Sequence, residues 1–382
     1  MRRVPLAWLN LLHEKTRLLI AITGVAFAAL LIFMNLGFRG ALIQTTTMVY
    51  GQLNAEIILM SPRTLQISAT TPFPRERLYQ AAGIEGVERV MPLYVSYLLW
   101  RNPETRISRA MFTYGVNPQD PIFLMPELQS PEATKQLERP NTVLIDIRSR
   151  PEFGPQTIGL ETEAGRRRVE IGGQYSLGGG FAADGTLIMS DQNFRRFFSP
   201  RTLETVDLGL IKLASGTDAQ RIAQAMQARL PADILVLTKE EAIAHDRTYW
   251  LQTTSIGFIF GMGVVVSFVV GTMIVYQILF TDIRQHLPEY ATLKAMGYRN
   301  PYLFRLVLQE AFLLALMGYV PGLIIALGLY QLTVKATAGS LPVSMSWERA
   351  VFVLSLTVTM CGVSGLISVR KAIAADPADV FR

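Results

Sequence analysis

Cysteine and charge are both scarce in this chain. Cys361 is the single cysteine among 382 residues, so no disulfide within the chain can stabilise a large domain, which needs a hydrophobic core instead. Charged residues make up 17% of the chain, whereas soluble domains carry about 25%. This deficit argues against an ordinary soluble protein, and the position of the uncharged residues becomes the first question.

Catalytic and nucleotide-binding motifs are also missing from the sequence. The glycine-rich stretch Gly172–Gly180 lacks the Gly-Lys-Ser/Thr ending of a phosphate-binding loop and predicts a hairpin loop instead. The histidines, His13, His245 and His286, share no metal-ligand spacing with Cys361. No Gly-x-Ser-x-Gly nucleophile motif occurs. We therefore expect a non-catalytic chain that itself holds no metal and no cofactor.

The chain has instead four long apolar runs without charge. Crossing the hydrocarbon core of a bilayer takes about 20 predominantly apolar residues in a helix, and each run is long enough. The runs are Leu18–Phe38, Thr248–Thr281, Ala311–Val334 and Ala350–Val369, and they place transmembrane helices at 18–38, 251–281, 306–334 and 350–369. No ionisable side chain within the runs marks a proton relay or an ion path. The first run exceeds the about 7–15 apolar residues of a signal peptide, so we expect an uncleaved anchor.

Basic residues flank these runs unevenly. They precede the first run, lie between the second and third, and follow the fourth, whereas the link between the third and fourth offers only Lys335 and Arg349. The positive-inside rule then places both termini in the cytoplasm of a multi-pass protein of the cytoplasmic (inner) membrane. The remaining segments are an amphipathic cytoplasmic helix (1–17), an external domain (39–250), a cytoplasmic loop (282–305), a short external loop (335–349) and a cytoplasmic tail (370–382). The pI near 9.4 reflects this topology better than it does nucleic-acid binding.

The external segment has the pattern of an α+β domain. Thr238 and Glu241 have the spacing of a capping box at the start of a helix, and we expect that helix to continue unbroken into the second transmembrane helix as a stalk. Such a rod would carry motion, although a domain merely tethered there fits equally well. Asp146 and Asp184 fall in predicted turns, where solvated carboxylates are expected. Alternation and turn residues predict strands at Ala55–Met60, Arg89–Trp100, Ile107–Val116, Thr142–Ile147, Thr186–Ser190, Asp207–Leu213 and Ile234–Leu237, and helices at Arg75–Ala82 and Asp218–Leu230.

Small residues recur at four-residue spacing within the apolar runs. Such spacing lets two helices approach closely. Packing within one subunit and the seam of a homodimer both explain the pattern. The residues are Gly257, Gly261, Ser267 and Gly271 in the second run and Gly318 and Gly322 in the third.

A polar stretch, RQHLPEYATLKAMGYRN, separates the second and third runs. Pro288 suits the first turn of a helix, Glu289 suits its positive end, and Gly297 suits its C-terminal stop. Tyr290, Leu293 and Gly297 would lie on one side of this helix, and Ala291, Lys294 and Ala295 on another. A narrow face of small and aromatic residues fits the groove of a partner protein, whereas the alternative is an amphipathic helix on the membrane surface.

Three phrases carry a family resemblance. EYATLKAMGY (Glu289–Tyr298) is similar to the coupling loop of the FtsX/MacB-type permeases of ABC transporters, and DPADVFR (Asp376–Arg382) is similar to their C-terminal tail, with Phe381 where leucine is usual. The stretch Trp8–Phe38 resembles the DevC-like branch. The order of one helix, a large external domain and three helices is similar as well. The resemblance assigns ATPase coupling to Glu289, Tyr290, Ala291, Leu293, Lys294, Ala295, Met296 and Gly297.

The resemblance implies a non-catalytic permease subunit. Such subunits pair as homodimers and bind a separate cytoplasmic ABC ATPase, here DevA-like, which holds the ATP and Mg²⁺. A DevB-like periplasmic adaptor and an outer-membrane duct are implied for export of a lipid, glycolipid or other amphiphile. An FtsX-like transmitter to an external hydrolase and a lipoprotein-releasing permease share this layout. A membrane sensor, from a different class, would need a cytoplasmic output domain, and only about a dozen residues follow the fourth run.

Overall fold

The structure is a computed structural model that describes residues 15–181, 183–285, 300–337 and 339–373, with Pro288, Thr292 and Met296. In chain order its helices and strands are α1 (Lys15–Gln52), β1 (Ile57–Met60), β2 (Phe73–Pro74), α2 (Glu76–Ala82), β3 (Val87–Arg101), β4 (Ser108–Val116), α3 (Pro131–Glu138), β5 (Thr142–Asp146), β6 (Glu161–Ala164), β7 (Arg167–Tyr175), β8 (Thr186–Ser190), α4 (Asp191–Phe197), β9 (Thr205–Val206), β10 (Leu208–Leu213), α5 (Ala219–Arg229), β11 (Leu235–Thr238), α6 (Lys239–Thr248), α7 (Ser255–Gln285), α8 (Asn300–Ala336) and α9 (Trp347–Ile373).

These elements form two compact units, which we name the helical unit and the sheet unit. The helical unit comprises Met1–Gly40, Phe258–Thr333 and Val343–Arg382, and the sheet unit comprises Ala41–Gly257 and Val334–Pro342.

Four described helices are long and apolar enough to cross a membrane: Leu18–Gln52, Ser255–Gln285, Asn300–Ala336 and Trp347–Arg370. Together with the sheet-rich unit between the first and second of them, they confirm the predicted fold class. The helices extend beyond the uncharged runs because polar residues at their ends are helical too. In α1, for example, the Thr45 and Thr46 hydroxyls donate to the carbonyls of Ala41 and Leu42, each at 2.8 Å. The hydroxyls are thus satisfied by the helix itself, and α1 continues to Gln52.

The helical unit has a core to which each long helix contributes. Val25 of α1, Val275 of α7, Leu314 of α8 and Cys361 of α9 are almost completely buried in one cluster. The single cysteine is therefore a packing residue, which is usual for a buried thiol.

The sheet unit contains a nine-stranded mixed sheet in the order β11-β1-β10-β3-β4-β8-β5-β7-β6. The predicted hairpin is confirmed: β3 and β4 pair antiparallel from Leu93↔Val116 to Arg101↔Ser108. Strand β6 also pairs with β3 at Trp100↔Ala164. The six strands β3-β4-β8-β5-β7-β6, in this spatial order, therefore form a closed ring of pairings. A smaller sheet pairs β2 with β9.

Both faces of the large sheet are covered. Because side chains alternate along a strand, Ile57 and Leu59 of β1 enter one core and Ile58 enters the other. The first core also takes Leu78 of α2 and Met226 of α5. The second core takes Tyr50 of α1, Leu137 of α3 and Ala242 of α6, so the end of α1 belongs to the packing of the sheet.

The glycine-rich stretch does not form the predicted hairpin loop, because its first glycines lie inside β7. Strand β7 pairs with β5 in parallel, and the register shifts between Val143 and Leu144. At Gly172 the Thr142 side chain occupies the place of a Cβ atom. Glycine at this position thus serves close strand packing, and only the residues after Tyr175 form a loop.

Candidate functional site

The predicted coupling helix lies mostly outside the described residues. Glu289, Tyr290, Ala291, Leu293, Lys294, Ala295 and Gly297 are not described, so their assigned role stays a prediction. The three described residues follow helical geometry: the Thr292 hydroxyl donates to the Pro288 carbonyl at 2.8 Å, and the Met296 amide donates to the Thr292 carbonyl at 3.0 Å. Met296 is 63% exposed, which leaves a flexible apolar side chain available to a partner.

The glycines of α8 pack on α1 of the same chain. At Gly318 the place of a Cβ atom is occupied by the Val25 side chain. At Gly322 a Cβ atom would lie 2.8 Å from the Ala26 carbonyl oxygen and 3.1 Å from the Ala29 Cβ. Both glycines thus permit a close helix contact within the helical unit, which accounts for them without a second subunit.

The small residues of α7 have different surroundings. Gly271 lies against Ala28 of α1 and Met360 of α9, and the buried Ser267 hydroxyl donates to the Gly263 carbonyl at 2.7 Å. At Gly261, in contrast, no atom of the described residues other than the nearby backbone of α7 and the two chain neighbours lies within 4 Å of a Cβ position. Gly261 is therefore the member of the predicted set that remains available to a lipid or a second subunit.

Two polar features of the helical unit, a hydrogen bond between helices and a buried glutamate, were not predicted from the sequence. The Ser364 hydroxyl of α9 donates to the Thr272 carbonyl of α7 at 2.8 Å. Glu310 of α8, just before the predicted third run, is 1% exposed, so the third helix does carry a buried ionisable residue. Helical periodicity offered the signal, since Leu306 and Leu314 lie four residues to either side and are also buried.

The predicted continuous stalk is wrong, because the helix is broken before α7. Helix α6 ends at Thr248, a π-helical turn covers Tyr249–Thr253, and Thr254 is extended with φ −87° and ψ 147°. The Thr254 hydroxyl donates to the Trp250 carbonyl at 2.7 Å and accepts from the Gly257 amide at 3.3 Å. Threonine thus caps the new helix.

Gly257 belongs to this break within the sheet unit. A Cβ atom there would collide with the Trp250 carbonyl and lie 2.6 Å from the Leu251 Cα. Its predicted place in a helix–helix seam is therefore taken by the preceding turn of its own chain. Single-turn π-helical segments and helix breaks are frequent at functional positions.

The end of α1 and helix α6 are fastened together in the sheet unit. The Lys239 ammonium donates to the Leu53 carbonyl at 2.7 Å, and burial lowers the pKa of Lys239. The completely buried Asp246 carboxylate accepts from the Ile67 amide at 3.0 Å, and the ring of His245 lies 3.3 Å from its other oxygen. The predicted capping box is confirmed, with Thr238 as the N-cap of α6.

A glycine-containing loop packs against the end of α1. Asp146, expected as a solvated carboxylate, is completely buried and accepts from the Leu177 amide at 3.1 Å and the Gly178 amide at 2.6 Å. Gly180 lies so close to Thr45 of α1 that a Cβ atom would collide with its side chain. Asp146 therefore fixes the loop that holds the end of α1. Asp184 is partly exposed and forms an ion pair with Arg150 at 3.0 Å.

The contacts of the sheet unit hold the end of α1 in place. No group of three or more His, Cys, Asp or Glu side chains that could hold a metal ion occurs among the residues that the structure describes. What the geometry provides is a sheet unit that holds the end of α1 and that also contains the capped break at Thr254.

Comparison with known proteins defines the class. Residues 253–377 match the family described as FtsX-like permease C-terminal. A curated relative, the macrolide export ATP-binding/permease protein MacB of Acinetobacter baylyi, is 31% identical over 113 residues, which is 30% of this chain and 17% of that protein. The chain therefore spans about a sixth of the length of this relative.

Two solved structures show a limited likeness to this chain. The periplasmic region of MacB from Actinobacillus actinomycetemcomitans is 10% identical with a TM-score of 0.34, covering 50% of this chain and 92% of that one. The extracellular domain of the noncanonic ABC-type transporter YknZ from Gram-positive bacteria is 14% identical with a TM-score of 0.34, covering 48% and 100%.

These matches and the four apolar helices define a multi-pass membrane protein with a permease domain. More particularly, residues 253–377 form a domain of the FtsX-like permease family, and the FtsX/MacB-type resemblance found in the sequence is confirmed. The DevC-like branch stays a prediction.

Proposed function

We propose that this chain is the non-catalytic permease subunit of an ABC-type exporter. The match of residues 253–377 to the FtsX-like permease C-terminal family is the observation that carries the proposal, because it includes the whole predicted coupling loop. A separate, DevA-like cytoplasmic ATPase binds the ATP and Mg²⁺ and docks on residues 282–305. The permease acts as a homodimer in the inner membrane.

Movement passes from the loop through α7 to the break before it. Helix α7 begins at Ser255 beside this break and ends at Gln285 beside the loop. The capped break gives the chain a defined place to bend, and the sheet unit grips the end of α1. Cyclic movement of this kind drives a lipid, glycolipid or other amphiphile outward with a DevB-like periplasmic adaptor and an outer-membrane duct.

Transmission of the same movement to an external hydrolase, or release of a lipoprotein, is the second candidate function. The contacts between the end of α1 and α6 support this second function as well as they support export, because transmitting force does not require a path for a cargo. Affinity purification from membranes separates the candidates. A co-purifying adaptor supports export, whereas a co-purifying cell-wall hydrolase without an adaptor supports transmission.

ATPase docking is tested by enlarging small residues of the coupling loop. Ala295→Trp and Gly297→Val should each reduce recovery of the ATPase, because overpacking a fitted contact costs about 1–3 kcal/mol, or about 5- to 150-fold in affinity. Ala336→Trp, at the exposed opposite end of α8, is the matched control and should leave recovery unchanged. Normal recovery with both loop variants would exclude the docking assignment.

The assignment of ATP hydrolysis to the partner and the topology are tested separately. The purified chain should hydrolyse no ATP, whereas its complex should; sustained turnover by the chain alone would contradict the non-catalytic assignment.

With both termini cytoplasmic, Lys135→Cys on α3 should react with an impermeant thiol reagent in intact spheroplasts and Asn300→Cys should not. The reverse pattern would contradict the proposed orientation. The buried Cys361 should contribute little background.

A further inference from the structure

A cavity in the sheet unit lies beside the segment that follows β4. The segment Asn117–Gln129 turns back over the sheet and, with α3 and the Ile188 side chain of β8, lines a half-open pocket of about 360 Å³. This volume falls within the range of about 300–1,000 Å³ for small-molecule sites. A second cavity, beside Thr45, has about 30 Å³, enough for a single water.

The floor of the larger cavity is apolar and fixed in place. Ile122, Phe123, Leu137 and Ile188 line it and are at most 5% exposed. The Leu124 amide next to Phe123 donates to the Gln52 carbonyl at 2.8 Å, and the Asn54 amide donates to the Ile122 carbonyl at 2.8 Å. These backbone bonds fasten the floor to the end of α1, so the apolar surface is formed before any ligand arrives.

The rim provides neutral hydrogen-bonding groups. The Gln119 amide nitrogen donates to Glu138 at 2.7 Å, and the Gln129 amide nitrogen donates to the Phe123 carbonyl at 3.2 Å. A primary amide has two N–H groups and one carbonyl oxygen, so each glutamine has hydrogen-bonding capacity beyond its recorded bond. Thr134 of α3 adds a hydroxyl to the lining.

The rim carries an acidic side chain. Asp120 is the ionisable member of the lining; it accepts from the Asn117 side chain at 3.0 Å and lies 3.6 Å from the Arg89 guanidinium. Burial raises the pKa of Asp120. An anionic head group would meet this carboxylate and no lining lysine or arginine, so the site disfavours it.

We propose that this cavity binds a small uncharged amphiphile, with its apolar part on the Ile122–Phe123 floor and a hydroxyl or amide head hydrogen-bonded to Gln119, Gln129 and Thr134. The site concerns ligand binding by the sheet unit and does not depend on the ATPase partner.

The test uses the full chain in peptidiscs with a diazirine-bearing dodecanol as the photoreactive probe. Mass spectrometry should place the labelled residues within 117–137, and excess plain dodecanol should remove the label. Thr134→Trp fills the cavity from a half-buried position and should reduce this labelling by about tenfold. Lys135→Trp, the next and exposed residue of α3, should label normally.

Two further arms keep the proposal testable if Thr134→Trp disturbs folding. Leu128→Trp fills the cavity from another wall and should also reduce the label by about tenfold. The diazirine-bearing dodecanoate should label the segment several-fold less than the alcohol. Labelling confined to the transmembrane helices, or unchanged by both filling variants, would overturn the site. Equal labelling by the carboxylate would overturn the assigned head-group class.

Discussion

The two units satisfy their buried polar groups with different kinds of partner. In the helical unit the Thr357 hydroxyl of α9 donates to the Val353 carbonyl of its own helix at 2.8 Å, as Ser267 of α7 does to Gly263. In the sheet unit the buried Asp207 carboxylate accepts from the Val95 amide at 2.8 Å, far away in sequence. Buried hydroxyls of the apolar helices thus donate to carbonyls of their own helix or, as at Ser364, of a neighbouring helix, whereas buried carboxylates of the sheet unit accept from backbone amides far away in sequence.

The comparison shows where each unit is sensitive to substitution. A helix that satisfies its own hydroxyls depends mainly on close packing, and its sensitive residues are the glycines that other helices touch. A sheet whose loops are tied by buried carboxylates depends on those few hydrogen bonds, because an unpaired buried group costs about 1–3 kcal/mol.

The largest effect is expected from Asp146→Ala. This change leaves the Leu177 and Gly178 amides without their buried acceptor and should destabilise the loop on α1 by about 2–5 kcal/mol. Amide hydrogen exchange of the peptide containing these residues, measured on the full chain, should accelerate by tenfold or more, since about 1.4 kcal/mol corresponds to tenfold.

Asp184→Ala is the control for this change. Its carboxylate is partly exposed and pairs with Arg150, and a surface ion pair contributes about 0–1 kcal/mol. Equal acceleration by both changes, or none by Asp146→Ala, would contradict the role given to the buried carboxylate.

Overpacking in the helical unit is expected to have the next largest effect. Gly318→Val places a side chain where Val25 already lies and should destabilise the helical unit by about 1–3 kcal/mol. Gly328→Val is the matched control on the same helix, since no atom of the described residues other than the nearby backbone of α8 and the two chain neighbours lies within 4 Å of a Cβ position at Gly328.

The chain carries its own reporter for this measurement. Cys361 is its single cysteine and is buried in the helical unit, so a maleimide dye that fluoresces on reaction reports the opening of this unit alone. The melting temperature should fall for Gly318→Val and not for Gly328→Val. Equal shifts would show that the close contact has no special cost.

Local signals were sufficient for much of the fold. The four long helices follow from uncharged length, the β3–β4 hairpin follows from alternating residues around a turn, and the start of α6 follows from the spacing of Thr238 and Glu241. Each of these signals lies within one short stretch, where helix and strand periodicities act directly.

The features that the sequence did not predict depend on contacts between residues far apart in sequence, or on signals that neighbouring apolar residues hid. The burial of Asp146 arises because loop amides about thirty positions later turn toward it, which no local pattern encodes. The break at Thr254 was hidden by an apolar run that continues through it, although a threonine is a common helix cap. Glu310 was missed because the uncharged run was taken to begin at Ala311.

A smaller effect is expected at the capping box of α6. Thr238→Ala removes the acceptor for the Glu241 amide and should cost about 1 kcal/mol, measured as faster amide exchange in the first turn of α6. The backbone amide of Thr238 lowers the pKa of Glu241. This second bond is therefore present at neutral pH and is lost as pH falls through the lowered pKa. Glu241→Gln should remove this pH dependence, and its persistence would assign it to another group.

The smallest effect on the stability of one chain is expected at Gly261, the glycine of α7 that would lie in the seam of the proposed homodimer. Gly261→Val should change the Cys361 melting temperature very little, since substitutions away from close contacts cost within about 0.5 kcal/mol. The space beside Gly257, its neighbour in the motif, is filled by the turn before α7. A dimer seam along α7 would therefore have to centre on Gly261. In a Cys361→Ala background, Gly261→Cys should then form an oxidised dimer in native membranes, whereas Gly328→Cys on α8 should not. Overpacking of the seam should make Gly261→Val lower the dimer fraction although the subunit stays folded. A cross-link at Gly328 alone, or at neither position, would exclude this seam and leave Gly261 facing lipid.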